Sequence, residues 1–280
     1  MMGLDKIAFV GFDSAWVGNP KVPGAICAIS FDGKRFHDFI EPKLVGFDEA
    51  RCFIARANRK HRLTLIAIDQ PTIVPNDEGM RPVEKVAASI VSWLGGGVQP
   101  AYRKKENMFG AGAPIWKFLR RLGAVENPEL SRRAMRGKFV MEVFPALALP
   151  SLNRIFCGWK KGPRYNPANR GRFRQKAWQR VVATVLREAR KLKCEKFIRW
   201  CNQLRKVIAP RKCHQDKLDA AICLLIMIRW RRGKRKDSTM IGDLKQGYIV
   251  APVVAEIRDR LRKAAFDRRV ALDGAVPLSQ

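Results

Sequence analysis

A chain of 280 residues, 47% of them hydrophobic, can bury a full core. That excludes general disorder and makes one large domain with insertions the default organisation. Its 55 Lys and Arg against 25 Asp and Glu leave a formal charge of +30, which repels like copies and attracts polyanions, nucleic acid being the commonest inside cells.

Residues 7–13 form an apolar run that closes on Asp13 and breaks at Ser14-Ala15-Trp16, the pattern of a buried strand. Residues 24–30 and 34–40 read as a hairpin around Asp32-Gly33. Helical spacing follows over 47–58 (Phe47, Cys52, Phe53, Ala57), and a second apolar strand, 63–69, ends on Asp69 before Gln70-Pro71. Two antiparallel strands, a crossover helix and a strand returning beside the first predict an α/β fold built on a mixed sheet. Residues 76–130 read as an insertion, with helices over 82–93 and 115–122 and a flexible Gly95-Gly96-Gly97 between them.

A third strand, 138–144, carries Glu142 inside it and stops at Pro145. The segment 154–214 holds 19 Lys and Arg against only Glu188 and Glu195, so it is the natural place for polyanion contact. It includes a helix over 172–193 with Phe173, Ala177, Val181, Val185 and Leu186 along one side. The next helix begins His214-Gln215-Asp216-Lys217-Leu218-Asp219 and runs into the apolar stretch 220–228, which places it deep in the core. A late edge strand at 247–252, ended by Pro252, and an amphipathic helix at 253–266 complete a single domain spanning 1–266, with 267–280 a loose tail.

Seven scattered cysteines with no C-x-x-C exclude a disulfide framework and a zinc ribbon and fit a reducing cytosol. The first five residues lack an apolar signal region, and the run 220–228 is too short for a bilayer, which takes about 20 residues. No lipidation motif or terminal basic amphipathic helix points to a membrane surface. A cytoplasmic protein without a membrane partner is expected.

The informative feature is the set of acids. Asp13 and Asp69 close two apolar strands at their C-terminal ends, where open α/β sheets place ligand sites. Asp216 and Asp219, three apart, project from one side of a helix. Together with Glu142 they would be an untenable cluster of like charges, unless a hard divalent cation compensates them. Mg²⁺ or Mn²⁺ suits carboxylate ligands that leave room for water and phosphate. Each acid also has a plainer reading: Asp13 caps a turn, Asp69 forms one, Glu142 pairs with an arginine, Asp216 faces a helix dipole.

These residues, in this order, resemble the ribonuclease-H-like superfamily of ribonuclease H, retroviral integrases and Holliday-junction resolvases. Within it the chain is most similar to a family of predicted nucleases, domain-of-unknown-function family 429. The resemblance rests on Gly11-Phe12-Asp13-Ser14-Ala15-Trp16, Ile68-Asp69-Gln70-Pro71, Met141-Glu142-Val143-Phe144-Pro145, Tyr165-Asn166-Pro167, Gln215-Asp216-Lys217-Leu218-Asp219-Ala220 and Gly247-Tyr248-Ile249-Val250. It implies a ribonuclease-H-like sheet flanked by helices, with Asp13, Asp69 and Asp219 holding the metals. Asp216 matches the resolvase habit of two acids on the last helix, and Glu142 matches the family's own strand motif. Glu49 is a possible counterpart of the ribonuclease H glutamate, without support from its context.

The expectation is therefore a Mg²⁺- or Mn²⁺-dependent nuclease, with all five acids at the site and Lys160, Lys161, Arg164, Arg170, Arg172 and Arg174 on the phosphate backbone. Trp159, Tyr165 and Phe173, interleaved with those cations, could stack on unpaired bases, although core packing is commoner for such residues. His214 could assist a leaving group, a structural role being favoured, and Arg81, Glu84 and Arg103 are expected to form surface pairs. The rivals are a non-catalytic nucleic-acid-binding protein on the same fold, and an actin-like ATPase or sugar kinase. For the latter the chain is too short and has only one glycine cluster.

Overall fold

A computed structural model describes residues 7–275. In chain order the strands and helices are β1 (Ile7–Asp13), β2 (Gly24–Phe31), β3 (Phe36–Val45), α1 (Phe47–Lys60), β4 (Leu63–Asp69), α2 (Pro82–Trp93), α3 (Glu106–Phe109), α4 (Pro114–Leu122), α5 (Pro128–Arg133), β5 (Gly137–Glu142), α6 (Pro145–Leu152), α7 (Gln175–Lys191), α8 (Glu195–Arg205), α9 (Lys212–Arg232), β6 (Ser238–Asp243), β7 (Gly247–Pro252) and α10 (Ala255–Asp267). Five strands form one sheet in the order β3-β2-β1-β4-β5. β1 runs antiparallel to β2 and parallel to β4, which is parallel to β5. This mixed sheet flanked by helices is a ribonuclease-H-like α/β fold with helical insertions.

Burial explains the composition of each strand. β1 sits in the middle with every residue buried, so it reads as a continuous apolar run, whereas edge strand β3 buries only Phe39, Pro42 and Val45. One face of the sheet, including Phe9, Leu65, Ala67 and Met141, packs on α9 and α7. The other, including Val10, Phe12, Ile66, Ile68 and Val140, packs on Ala50, Phe53 and Ile54 of α1 and on Ile115, Phe118 and Leu122 of α4. A separate cluster joins α2, α10 and the β6–β7 hairpin through Val86, Ile90, Ile241, Ile249, Ile257 and Leu261.

Helix α9 is apolar nearly all round and buried on both sides, as its composition predicts. Its backbone meets β1 at Gly11, where an added Cβ would lie 2.0 Å from the Ala220 carbonyl oxygen and 2.5 Å from the Leu224 nitrogen. No other residue fits there without moving the helix.

Three expectations change. The basic stretch after α7 contains a further helix, α8, whose Phe197, Trp200, Cys201 and Leu204 face inward. β7 is buried throughout, since it pairs with β6 on one side and bridges from Val250 to Val143 beside β5 on the other. The segment expected as a tail is held as far as residue 275. Asp273 accepts hydrogen bonds from Arg235, Arg258, the Thr239 hydroxyl and the Met240 amide, and Leu272 bridges to Ile241. The rest of that segment lies outside the described residues. Among the described residues no helix is long and apolar enough to cross a membrane.

Gly11→Ala should cost about 3 kcal/mol or more, at the upper end of overpacking, because backbone rather than a flexible side chain stands in the way. Chemical denaturation of the variant beside wild type measures it.

Candidate functional site

Parallel register places Asp13 and Asp69 side by side at the C-terminal ends of β1 and β4. Side chains alternate along a strand, so Asp13 shares the side of Phe9 and Gly11, and Asp69 that of Leu65 and Ala67. That side faces α9. The close contact at Gly11 fixes the first turns of α9 over the strand ends, and so Asp216 and Asp219 come to the same place. The loops behind the two strand ends are tied together, since the Ser14 hydroxyl donates to Gln70 Oε1 and Gln70 Nε2 donates to the Trp16 carbonyl at 3.3 Å.

The electrostatics follow from burial and crowding. Burial first, then Asp219 and Asp69, holds the Asp13 carboxyl well above the ordinary carboxylate range. Burial, Asp219 and Glu142 do the same to Asp69. Asp219 is pushed up to about 6 by burial, against three partners that favour its charge. Tyr165 donates from its hydroxyl to Asp219 Oδ1 at 2.7 Å, Gln215 Nε2 donates to Oδ2 at 2.9 Å, and Lys212 adds its positive charge. The Lys212 ammonium bonds to Asp216. Burial works against its charge, and Asp13, Asp216 and Asp219 outweigh that.

The donor set here is all oxygen, as a hard divalent cation requires. The buried Gln215 Oε1 has no hydrogen-bond partner among the described residues, although it lies on the residue that grips Asp219; an acceptor stranded this way suits a cation or its hydration water. As the side chains stand, no group of three His, Cys, Asp or Glu among the described residues is arranged to hold one ion. Lys212 supplies the compensating charge instead. Asp13, Asp69, Asp216 and Asp219 thus converge, in an arrangement held by the chain's own ammonium.

Glu142 does not join them. It pairs in register with Ile68, one residue before Asp69, and although its charge still reaches Asp69, its carboxylate is engaged elsewhere. Arg81 grips it with both prongs, at 2.9 Å and 2.6 Å, and bonds through Nε to Glu84 Oε1 at 3.0 Å. The Thr72 amide adds a bond to Glu142 at 3.1 Å. Burial pushes the Glu142 carboxyl up to about 7 against the pull of Arg81 and that amide. The expectation of a supporting metal ligand is corrected to the plainer arginine pair. Arg81 and Glu84, expected on the surface, are fully buried. Arg103 stays exposed and donates to the Val74 carbonyl at 3.1 Å.

Lys160, Lys161, Arg164, Arg170, Arg172 and Arg174 are all exposed on the loop between α6 and α7, and none forms an ion pair among the described residues. Trp159 is 64% exposed, with Lys160 over its ring, so it remains free to stack. Phe173 packs partly on the core, and Tyr165 is buried against Asp219, which withdraws both from base stacking. His214 accepts the Arg211 amide at 2.9 Å at the start of α9, a capping role. Glu49 accepts the Gly46 amide at the start of α1 and is likewise spent on a helix end. Sequence reasoning missed Lys212, four residues before Asp216, and the work of Tyr165 and Gln215 on Asp219, although both lie inside quoted motifs.

Two outcomes test this geometry. Glu142→Gln should destabilise the fold, and Arg81→Met should cost roughly 3–5 kcal/mol by stranding buried carboxylates; thermal melts should show any response to Mn²⁺ retained in Glu142→Gln, since both oxygens of that carboxylate are already held by Arg81. The pH dependence has a definite sign. Asp13, Asp69 and Asp219 have folded values above their unfolded ones, so the native state binds more protons. Their contribution to stability is fully present below the unfolded Asp value of about 4 and is lost as pH rises through the folded values, about 6 for Asp219. In chelator, melts between about pH 4 and about pH 7 should show a smaller loss for Asp13→Asn than for wild type.

No curated protein and no solved structure matches the chain. The family described as "Protein of unknown function (DUF429)" matches residues 11–243. That span takes in the end of β1 with Asp13, β4 with Asp69, the basic loop, and α9 with Asp216 and Asp219. The chain belongs to this family.

Proposed function

We propose that the protein is a nuclease that hydrolyses nucleic-acid phosphodiesters with Mg²⁺ or Mn²⁺. The observation that carries this reading is the meeting of Asp13, Asp69 and Asp219, from two strand ends and a helix, with burial and mutual repulsion raising all three. Such an arrangement costs stability in the folded protein, and structural acids are ordinarily neutralised as Glu142 is. Strongly perturbed groups gathered at strand ends mark a site of function.

Asp13, Asp69 and Asp219 would hold the ions, with Asp216 beside them. Bound there, divalent ions would supply Lewis-acid charge to the phosphodiester and lower the pKa of the hydrolytic water. The chain's own residues do the rest. Tyr165 and Gln215 fix the orientation of the Asp219 carboxylate through both its oxygens. Lys212 compensates the acids and, drawn aside with Asp216, offers a cation to a phosphate oxygen. The exposed cations of the loop hold the backbone, and Tyr165 brings that loop to the acids. The seven cysteines are all free, which supports a reducing compartment such as the cytoplasm.

A second reading is a non-catalytic nucleic-acid-binding protein on the same fold. The ammonium of Lys212 already seated on Asp216 favours it, because a cluster satisfied internally has less need of an ion.

Labelled DNA, RNA, hybrid and branched substrates incubated with Mg²⁺, Mn²⁺ or chelator separate the two. Metal-dependent cleavage is expected in wild type and should vanish in Asp13→Asn. Tyr165→Phe should lower metal affinity or activity by about 10–100-fold, as loss of a ligand's hydrogen-bond partner does. Binding without cleavage under every metal condition would support the second reading.

A further inference from the structure

At the far end of the sheet from the acids, a cavity of about 540 Å³ opens beside edge strand β3, between β2, the end of α1 and Lys196 of α8. Ala8 and Ser30, partners near the start of β1, line it. Asp13 lies five residues further along, about 17 Å away at strand rise. The cavity is therefore separate from the acid cluster.

Its floor is apolar, with Ala28, Ala57 and Phe53. Its rim is cationic. Lys43, Arg56, Lys60 and Lys196 all line it, all are exposed, and none is ion-paired among the described residues. The rim carries one acid, Asp38, whose carboxylate is taken by His37 at 2.8 Å. Asp38 also has φ 49°, in a bulge where the β2–β3 register slips between Ala28 and Ser30. Bulges re-aim side chains at sheet edges, often next to sites, and here the irregularity lies on the cavity wall.

One polar pair reaches the floor. Ser30 Oγ lies 2.8 Å from His61 Nε2, and His61 Nδ1 lies 2.7 Å from the Ala57 carbonyl. Donation by Nδ1 to that carbonyl covers an acceptor at the end of α1 that would otherwise repel an anion. Ser30 is not placed as a nucleophile, because β2 is paired on both sides and its amides are spent on the sheet, leaving no donors for an oxyanion.

We propose that this cavity binds a small organic phosphate, with the phosphate among the rim cations and a flat apolar part on the floor. Cations scattered over a basic surface would not predict this. Four without an ion pair around a concave apolar floor do, one of them, Lys43, already over the Phe53 ring at 5.5 Å, since pockets of this size combine apolar walls with a few convergent polar groups. The inference is independent of the nuclease reading.

Calorimetric titration of the full chain in chelator with phenyl phosphate and adenosine monophosphate tests it, with inorganic phosphate and adenosine as comparisons. Both organic phosphates should bind, each at least about tenfold more tightly than inorganic phosphate or adenosine. Lys60→Gln/Lys196→Gln should weaken that binding by about tenfold or more with an unchanged melt, since both side chains are exposed. Arg56→Gln, also exposed, provides a second variant with the same expectation. Asp13→Asn should bind as wild type does, whatever its effect on cleavage. The proposal is overturned if neither organic phosphate binds at millimolar concentration, if inorganic phosphate binds equally well, or if the rim variants bind like wild type. Oligonucleotide binding lost in the rim variants, with no binding of either small phosphate, would also overturn it and make the cavity part of a polynucleotide path.

Discussion

The contact between α9 and β1 at Gly11 governs everything above it. With no side chain at that position, helix backbone rests directly on strand backbone, and the axis of α9 is held close to the sheet. Asp219 immediately precedes Ala220, whose carbonyl makes the contact, and Asp13 lies two residues beyond Gly11. Bringing the backbones together therefore brings the carboxylates together. The apolar second half of α9, buried on both sides, supplies the burial energy that holds this approach against carboxylate repulsion.

The protein disposes of buried acids in two ways near the ends of neighbouring strands. At the end of β5, Arg81 meets Glu142 and Glu84 within the fold, and the backbone amide of Thr72 completes the shell. That network is self-sufficient and ties the loop after β4, the start of α2 and the end of β5. On the α9 side, Asp13, Asp69 and Asp219 face one another, with one lysine among them and a buried amide oxygen left without a donor. The first arrangement is architecture. The second is unfinished as it stands, and it is the one the functional proposal rests on.

Much of this was legible in the chain. Apolar runs closing on Asp13 and Asp69 before turn residues marked both strand ends, and spacing placed Asp216 and Asp219 on one side of a helix. Glu142 misled because alternation within a strand says which residues share a side and not which partner each one meets. Register pairs it with Ile68, one residue before Asp69, and Arg81 takes its carboxylate. Arg81 looked like a surface charge since its partner Glu142 is 61 residues away along the chain, and Glu84, bonded to Arg81, is buried with it. The burial of Tyr165 was hidden by its setting among exposed cations, and the inward residues of α8 were hidden in the same way.

Tyr165 has a wider consequence. It is the one residue of the basic loop whose hydroxyl reaches the acids, and it is buried while the cations around it are exposed. Any displacement of the loop at Tyr165 is thereby delivered to a single oxygen of Asp219. Under the proposed function, a strand gripped by the loop would act on the carboxylate through that one phenol, so grip and orientation would move together.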